Sequence, residues 1–182
     1  MNEAPAHSSD ENEPRASRIY LPDLPGIDTQ LWMGGSQSLV GEPVAPADLA
    51  DAVVLDCAGD LPRAHRAAAK RYLPCVFLDA EREPSSFPRL AAVVHELATT
   101  IGAAENGSAA ERIFIFCQYG LNRSGLLTGL LLRALGASAD DALTGVRLAR
   151  PGALNNLTFG RLIAEWRCPV ADGPAEATSA SR

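Results

Sequence analysis

Phe116-Cys117-Gln118-Tyr119-Gly120-Leu121-Asn122-Arg123-Ser124-Gly125 is the stretch on which the reading of this chain turns. The residues before it, Ile113-Phe114-Ile115-Phe116, are apolar and β-prone, and the Leu-rich segment after it, Leu126 to Leu135, is helix-forming. Strand, tight polar loop and helix therefore follow one another. In such a loop successive backbone N–H groups can converge on one point. Together with the positive end of the helix they bind an anion without any side-chain charge. Gly120 and Gly125 give the backbone freedom to curl. Arg123, six positions after Cys117, adds a planar fork that can clasp two oxygens at once.

Cys117 would sit beneath that anion. A free thiol has a pKa of about 8.5 and is only a few per cent thiolate near neutral pH. The N–H groups, helix end and guanidinium that hold an anion would also stabilise S⁻ and lower that value. One architecture thus makes both a binding site and a nucleophile, and Ser124 can hydrogen-bond the sulfur when it departs.

The spacing Cys-(X)5-Arg followed by Ser-Gly resembles the signature loop of the cysteine-dependent protein tyrosine phosphatase superfamily. The short chain is more similar to its compact dual-specificity branch than to the large tyrosine-specific domain. The resemblance implies Cys117 as nucleophile, Arg123 as the phosphate-binding arginine and Ser124 as the hydroxyl that assists thiolate departure. Gln118, Tyr119, Gly120, Leu121 and Asn122, with Arg123, would form the phosphate-binding loop. The expected activity is phosphomonoester hydrolysis through a cysteinyl-phosphate, with no cofactor and no metal. The expected partner is a phosphorylated protein or a small phosphomonoester. One position departs from the pattern: the family usually has histidine before the nucleophile, and this chain has Phe116. That change predicts a higher Cys117 pKa and slower turnover. It also raises the alternative of a non-catalytic phosphate-binding module.

The resemblance further implies a general acid, an aspartate on a mobile loop roughly thirty to forty residues before the cysteine. Asp79, where Cys75–Leu78 reads as a strand running into a polar loop, is the candidate, with Glu81 and Glu83 as alternatives. Asp79 could also serve only to cap that loop. In some phosphatases of this class a cysteine near the position of Cys57 forms a reversible disulfide with the nucleophile, so Cys57 is a possible redox partner. Its plainer reading is a small buried core residue.

Around this motif, β-like runs appear at Gln30–Met33, Ala52–Asp56, Cys75–Leu78 and Arg112–Phe116. Helical patterns alternate with them at Leu61–Arg71, from near Ser86 to Gly102, at Ser124–Leu135, Ser138–Ala149 and Leu157–Trp166, with Asn155 or Asn156 capping the last. The alternation predicts an α/β fold: a mainly parallel central sheet of four to five strands, flanked by helices on both faces. The signature loop would join the last core strand to a helix. The opening Ile27–Gly35, Arg147-x-x-Arg150-Pro151 and Asn156-x-x-Phe159 are loosely similar to the same family.

With 182 residues and 47% hydrophobic content, the chain supports one domain, expected over residues 18–170 between polar tails at 1–17 and 171–182. Three histidines and four cysteines show no metal-ligand spacing, and no cysteine lies close to another, as in a protein of a reducing compartment. No signal-like or membrane-length apolar segment is visible, so a cytoplasmic protein is expected, with no membrane partner. The net charge of −6 argues against nucleic acid as partner. The Gly-x-Asn-Arg-Ser-Gly run is nevertheless also similar to RNA 5′-triphosphatases of the superfamily. The loop interior carries no lysine, unlike a site built for a phosphoinositide. Oligomeric state is left open.

Overall fold

The strand that leads into the signature loop is split between two cores by its pleat. Ile113, Ile115 and Cys117 enter one buried cluster, and Phe114 and Phe116 enter another on the opposite side. All five are at most 3% exposed, as a central strand covered on both faces requires. The computed structural model describes residues 13–20, 24, 30–104 and 112–167.

Among those residues six strands form one sheet: β1 (Arg15–Ile19), β2 (Gln30–Gly35), β3 (Glu42–Pro43), β4 (Ala52–Asp56), β5 (Arg71–Pro74) and β6 (Arg112–Cys117). Their order is β3-β1-β2-β6-β4-β5. The four strands β2, β6, β4 and β5 are parallel, while β1 and β3 add an antiparallel edge beside β2. The sheet is thus mainly parallel as expected but larger than four to five strands. The additional strands are short and lack an apolar run. β1 begins at Arg15, so sheet structure starts inside the segment read as a polar tail.

The helices are α1 (Arg63–Ala68), α2 (Phe87–Ala104), α3 (Arg123–Ala134), α4 (Ala139–Ala149) and α5 (Leu157–Glu165). Residues of α2, α3, α4 and α5 share the cluster of Ile113, Ile115 and Cys117. The other face is thinner. There Leu49, Leu61 and Ala69 pack with Phe114 and Phe116, and Trp32, Phe114 and Phe116 stack with centroids 5.6 and 5.9 Å apart. Residues 124–132 of α3 are buried without exception, the mark of a helix enclosed on all sides.

Three boundaries differ from what the sequence alone suggests. The expected strand at Cys75–Leu78 is not one; the sheet pairing ends at Asp56 opposite Pro74. The chain continues extended past the sheet end, with Cys75 and Phe77 buried and Val76 and Leu78 exposed, which mimics a strand's alternation. The helix expected over Leu61–Arg71 is only Arg63–Ala68, because Arg71 pairs beside Val53 as the start of β5. At its far end α2 runs two residues past Gly102.

The turn after β4 is organised by one buried carboxylate. Asp56 Oδ1 accepts from the Ala58 and Gly59 amides at 3.1 and 2.7 Å, and Oδ2 accepts from the Leu61 amide and the Tyr72 hydroxyl at 3.2 and 2.8 Å. Burial, then the hydrogen bond to Asp56, pushes the Tyr72 hydroxyl up to about 12. An unfolded tyrosine releases its proton at about 10, so above that pH the folded chain holds a proton that the unfolded chain has lost. Folding stability should therefore be unaffected by Tyr72 below about pH 10 and fall as pH rises from about 10 to about 12. Urea midpoints measured at pH 9 and pH 11 should show a smaller loss for Tyr72→Phe than for the unaltered chain; equal losses would refute the coupling.

Candidate active site

Parallel pairing brings β2 and β4 to the end of β6 and fixes where the signature loop begins. Gly35 pairs opposite Cys117, and Asp56 opposite Phe116. The ladder then continues irregularly: the Ser36 amide donates to the Cys117 carbonyl at 2.9 Å, Gln37 to Gln118 at 2.8 Å, and Cys57 to Phe116 at 2.8 Å. Gly35 is required there, because a side chain would collide with the Tyr119–Gly120 peptide. Gly120 has φ +71°, a conformation open to glycine at little cost, and turns the loop back toward the thiol.

Cys117 is 3% exposed at the floor of this loop. The Gly120 N–H donates to Sγ at 3.3 Å, and Ser124 Oγ lies 3.3 Å from it on the other side. Ser124 is fully buried in the first turn of α3, and Arg123 is the first residue of that helix. Arg123 Nη1 makes one long contact, 3.5 Å to the Phe77 carbonyl, and its Nε is buried with no protein acceptor. A guanidinium N–H left without a protein acceptor at a helix N-terminus is suited to an oxyanion. The sequence-predicted residues Cys117, Arg123 and Ser124 therefore meet in one place.

Asp79 is brought to the same loop from far away in sequence. Its Oδ2 accepts from Asn122 Nδ2 at 3.0 Å and its Oδ1 from Asn156 Nδ2 at 2.9 Å. Asn156 Nδ2 also donates to the Ala80 carbonyl at 3.0 Å, and Asn156 Oδ1 caps α5 by accepting from Thr158 and Phe159. Asn156, expected only as a possible cap, thus has a second role as an anchor of the Asp79 segment. Glu81 and Glu83 are exposed on the same loop.

Cys57 follows β4 as Cys117 ends β6, and both side chains enter one apolar cluster together with Cys75. All three are free thiols. Burial pushes Cys57 well above the ordinary thiol value, and the neighbouring Cys117, Cys75 and Asp56 push it further. Burial likewise raises Cys75 to about 11. Cys168 lies outside the described residues. His65 is a buried side chain with Nε2 2.8 Å from the Val44 carbonyl. The sequence alone assigns no role to Arg150, which reaches the loop from the end of α4; its signal there is its place in the Arg147-x-x-Arg150-Pro151 run.

The sequence matches no protein-family model and no curated protein. Several solved structures share its fold. A putative protein tyrosine phosphatase from Leishmania major superposes with a TM-score of 0.60 at 18% identity, over 85% of this chain and 98% of that one. Kinase associated phosphatase, with its catalytic-site cysteine substituted by serine, gives 0.60 at 16% identity over 90% and 99%. Human DUSP28 gives 0.56 at 19% identity over 82% and 90%. The chain has the fold of the dual-specificity and tyrosine phosphatases. Among the described residues no group of His, Cys, Asp and Glu could hold a metal ion, and no helix is long and apolar enough to cross a membrane.

The double role of Asn156 can be separated by substitution. Asn156→Ala should lose the α5 cap, worth about 1 kcal/mol, and release Asp79. Asn156→Ser should keep a capping oxygen and still release Asp79. Amide exchange over residues 79–82 should then quicken in both variants, while thermal stability drops clearly only for the alanine. Unchanged exchange in both would show that Asn156 does not anchor the loop.

Proposed function

We propose that this chain is a metal-independent phosphomonoester hydrolase working through a cysteinyl-phosphate, with phosphotyrosine-containing or dual-specificity protein substrates. The observation that carries the reading is the buried Cys117 thiol, which receives the Gly120 N–H and lies beside Ser124 beneath an arginine whose Nε lacks a protein acceptor. In this mechanism the phosphate is held by Arg123 and by the loop 118–122. The Cys117 thiolate attacks phosphorus and forms the S–P bond as the P–O bond to the leaving group breaks. Asp79 gives its proton to the departing oxygen. Asp79 then takes a proton from water, which attacks phosphorus and releases inorganic phosphate, and Ser124 stabilises the returning thiolate. The hydrogen bond between Asp79 and Asn122 supports this assignment, because it ties the acid's segment to the phosphate loop itself.

The substrate class is supported by what borders the loop. Tyr119, Leu78 and Leu157 are 57%, 72% and 82% exposed, and each sits next to a residue bonded to the loop or to Asp79. Apolar side chains there suit an aromatic phosphoester within a protein better than a polyanion. Cys57 is proposed as the redox partner of Cys117. Its support is adjacency on neighbouring strand ends with both side chains in one cluster. Peroxide would oxidise Cys117 to the sulfenic acid, and the Cys57 thiol would condense with it, losing water to form the disulfide.

The decisive assay is turnover of p-nitrophenyl phosphate by the full chain. Activity should survive EDTA, vanish in Cys117→Ser, and fall about 10²–10³-fold in kcat for Asp79→Asn with phosphate affinity nearly kept. Phosphate binding without any turnover would instead assign a binding module. An Asp79→Asn variant of normal kcat would remove Asp79 from the mechanism. For the redox role, mild hydrogen peroxide followed by peptide mapping should yield a Cys57–Cys117 linkage that is absent from Cys57→Ser. Over-oxidation of Cys117 with no such linkage would end the idea.

A further inference from the structure

Arg150 is a buried cation without a carboxylate partner among its described contacts. It is 1% exposed, yet its five hydrogen bonds to described residues go to neutral groups. Nη1 donates to the Val40 carbonyl at 2.6 Å and to Ser17 Oγ at 3.3 Å, and Nη2 donates to Ser38 Oγ at 2.6 Å. The remaining two bonds reach the signature loop: Nη2 to the Tyr119 carbonyl and Nε to the Gly120 carbonyl, both at 3.1 Å. Burying a full charge is costly unless something nearby carries the opposite sign. Burial pulls the guanidinium's pKa down, and the charge of Cys117 acts in the opposite direction.

The two carbonyl contacts have a geometric consequence. In a trans peptide the C=O and the N–H lie in one plane and point in opposite directions. A guanidinium that holds the Tyr119 carbonyl on the outside of the loop therefore turns the Gly120 N–H inward, where it meets Cys117 Sγ. The same logic applied to the Gly120 carbonyl turns the Leu121 N–H inward as well. The fork of one arginine can hold two consecutive carbonyls, which the point charge of a lysine cannot do.

We propose that Arg150 is a positioning residue that aims the Gly120 and Leu121 N–H groups at the anion site and places a second buried positive charge behind it. The inference rests on the reading of loop 117–123 as a phosphate site. It explains what the guanidinium does in the core and why position 120 admits only glycine, since a side chain there would collide with Arg150. Among the described residues, other charged or titratable groups near the loop include Arg123, the Cys57 and Cys75 thiols and the Asp56 carboxylate, together with the Asp79 carboxylate bonded to Asn122. Arg150 differs from them in bonding the loop carbonyls on the side away from the sulfur.

The test uses Arg150→Lys and Arg150→Met in the full chain, with folding checked by circular dichroism. Two readouts are taken: the pH profile of Cys117 alkylation by iodoacetamide, and protection from alkylation by inorganic phosphate. Both variants should need about tenfold more phosphate for protection. The alkylation midpoint should rise by about one pH unit in the methionine variant and by less in the lysine variant, which keeps the charge. A folded Arg150→Met with the midpoint and phosphate protection of the unaltered chain would overturn the proposal. If neither variant folds, Ser38→Ala decides, because it frees one anchor of the guanidinium without removing charge. About threefold weaker phosphate protection is expected, and unchanged protection would overturn the idea. Turnover of p-nitrophenyl phosphate is followed separately. An unaltered chain that binds phosphate but hydrolyses nothing would remove the phosphatase reading while leaving the Arg150 comparison intact.

Discussion

Parallel pairing of β6 with β2 on one side and β4 on the other is the constraint from which the rest of the site follows. It delivers Cys117 to the end of a strand that cannot shift, since a slip of one residue would exchange the faces of Phe116 and Cys117 and place each in the wrong core. The neighbouring strands also supply the first turns beside the loop, through the Ser36, Gln37 and Cys57 amides. The loop is therefore held on both flanks before its own geometry is considered. Such pre-organisation would serve the proposed anion site, because N–H groups already aimed at a ligand need no reordering when it binds.

Charge around the loop is arranged asymmetrically. The two buried or half-buried cations, Arg123 and Arg150, have no acidic partner among their described contacts. Among the described residues, the carboxylate bonded to the loop is that of Asp79, held at its rim by amides and not by either arginine. Neutral amide donors keep Asp79 in place without cancelling the positive field at the floor. The net charge of −6 thus says little about the site, whose local sign is set by two guanidinium groups and a helix end.

Much of this was legible in the sequence because the chemistry is local there. Cys117, Arg123 and Ser124 lie within eight residues, and a strand, a loop and a helix are enough to bring them together. The central strands and α3 carried long apolar runs and were read nearly to their limits. The short elements were not. β1, Arg15-Ala16-Ser17-Arg18-Ile19, mixes charged and small residues with one apolar side chain, and pairing with β2 and β3 makes it a strand. The extended Cys75–Leu78 segment has the alternation of a strand but lies beyond the end of β5, where its Cys75 and Phe77 amides bond the Asp56 and Cys57 carbonyls without a regular ladder. Arg150 and Asn156 were the least legible, because their roles depend on contacts to residues more than thirty positions away.

Phe116 is where the sheet explains a departure that the sequence alone could only flag. Alternation along β6 sends its ring away from the thiol, into the stack with Phe114 and below Trp32 on the opposite face. A histidine at that position would have to place a polar ring inside an aromatic core, where it would need a hydrogen-bond partner of its own. The aromatic ring instead adds packing that fixes the strand end, so the register beneath Cys117 is secured by apolar contact. What the phenylalanine cannot supply is a polar contact to the loop backbone. In this chain those contacts come from the carbonyl clasp of Arg150 and from the Ser36 and Gln37 amides, which donate to the Cys117 and Gln118 carbonyls.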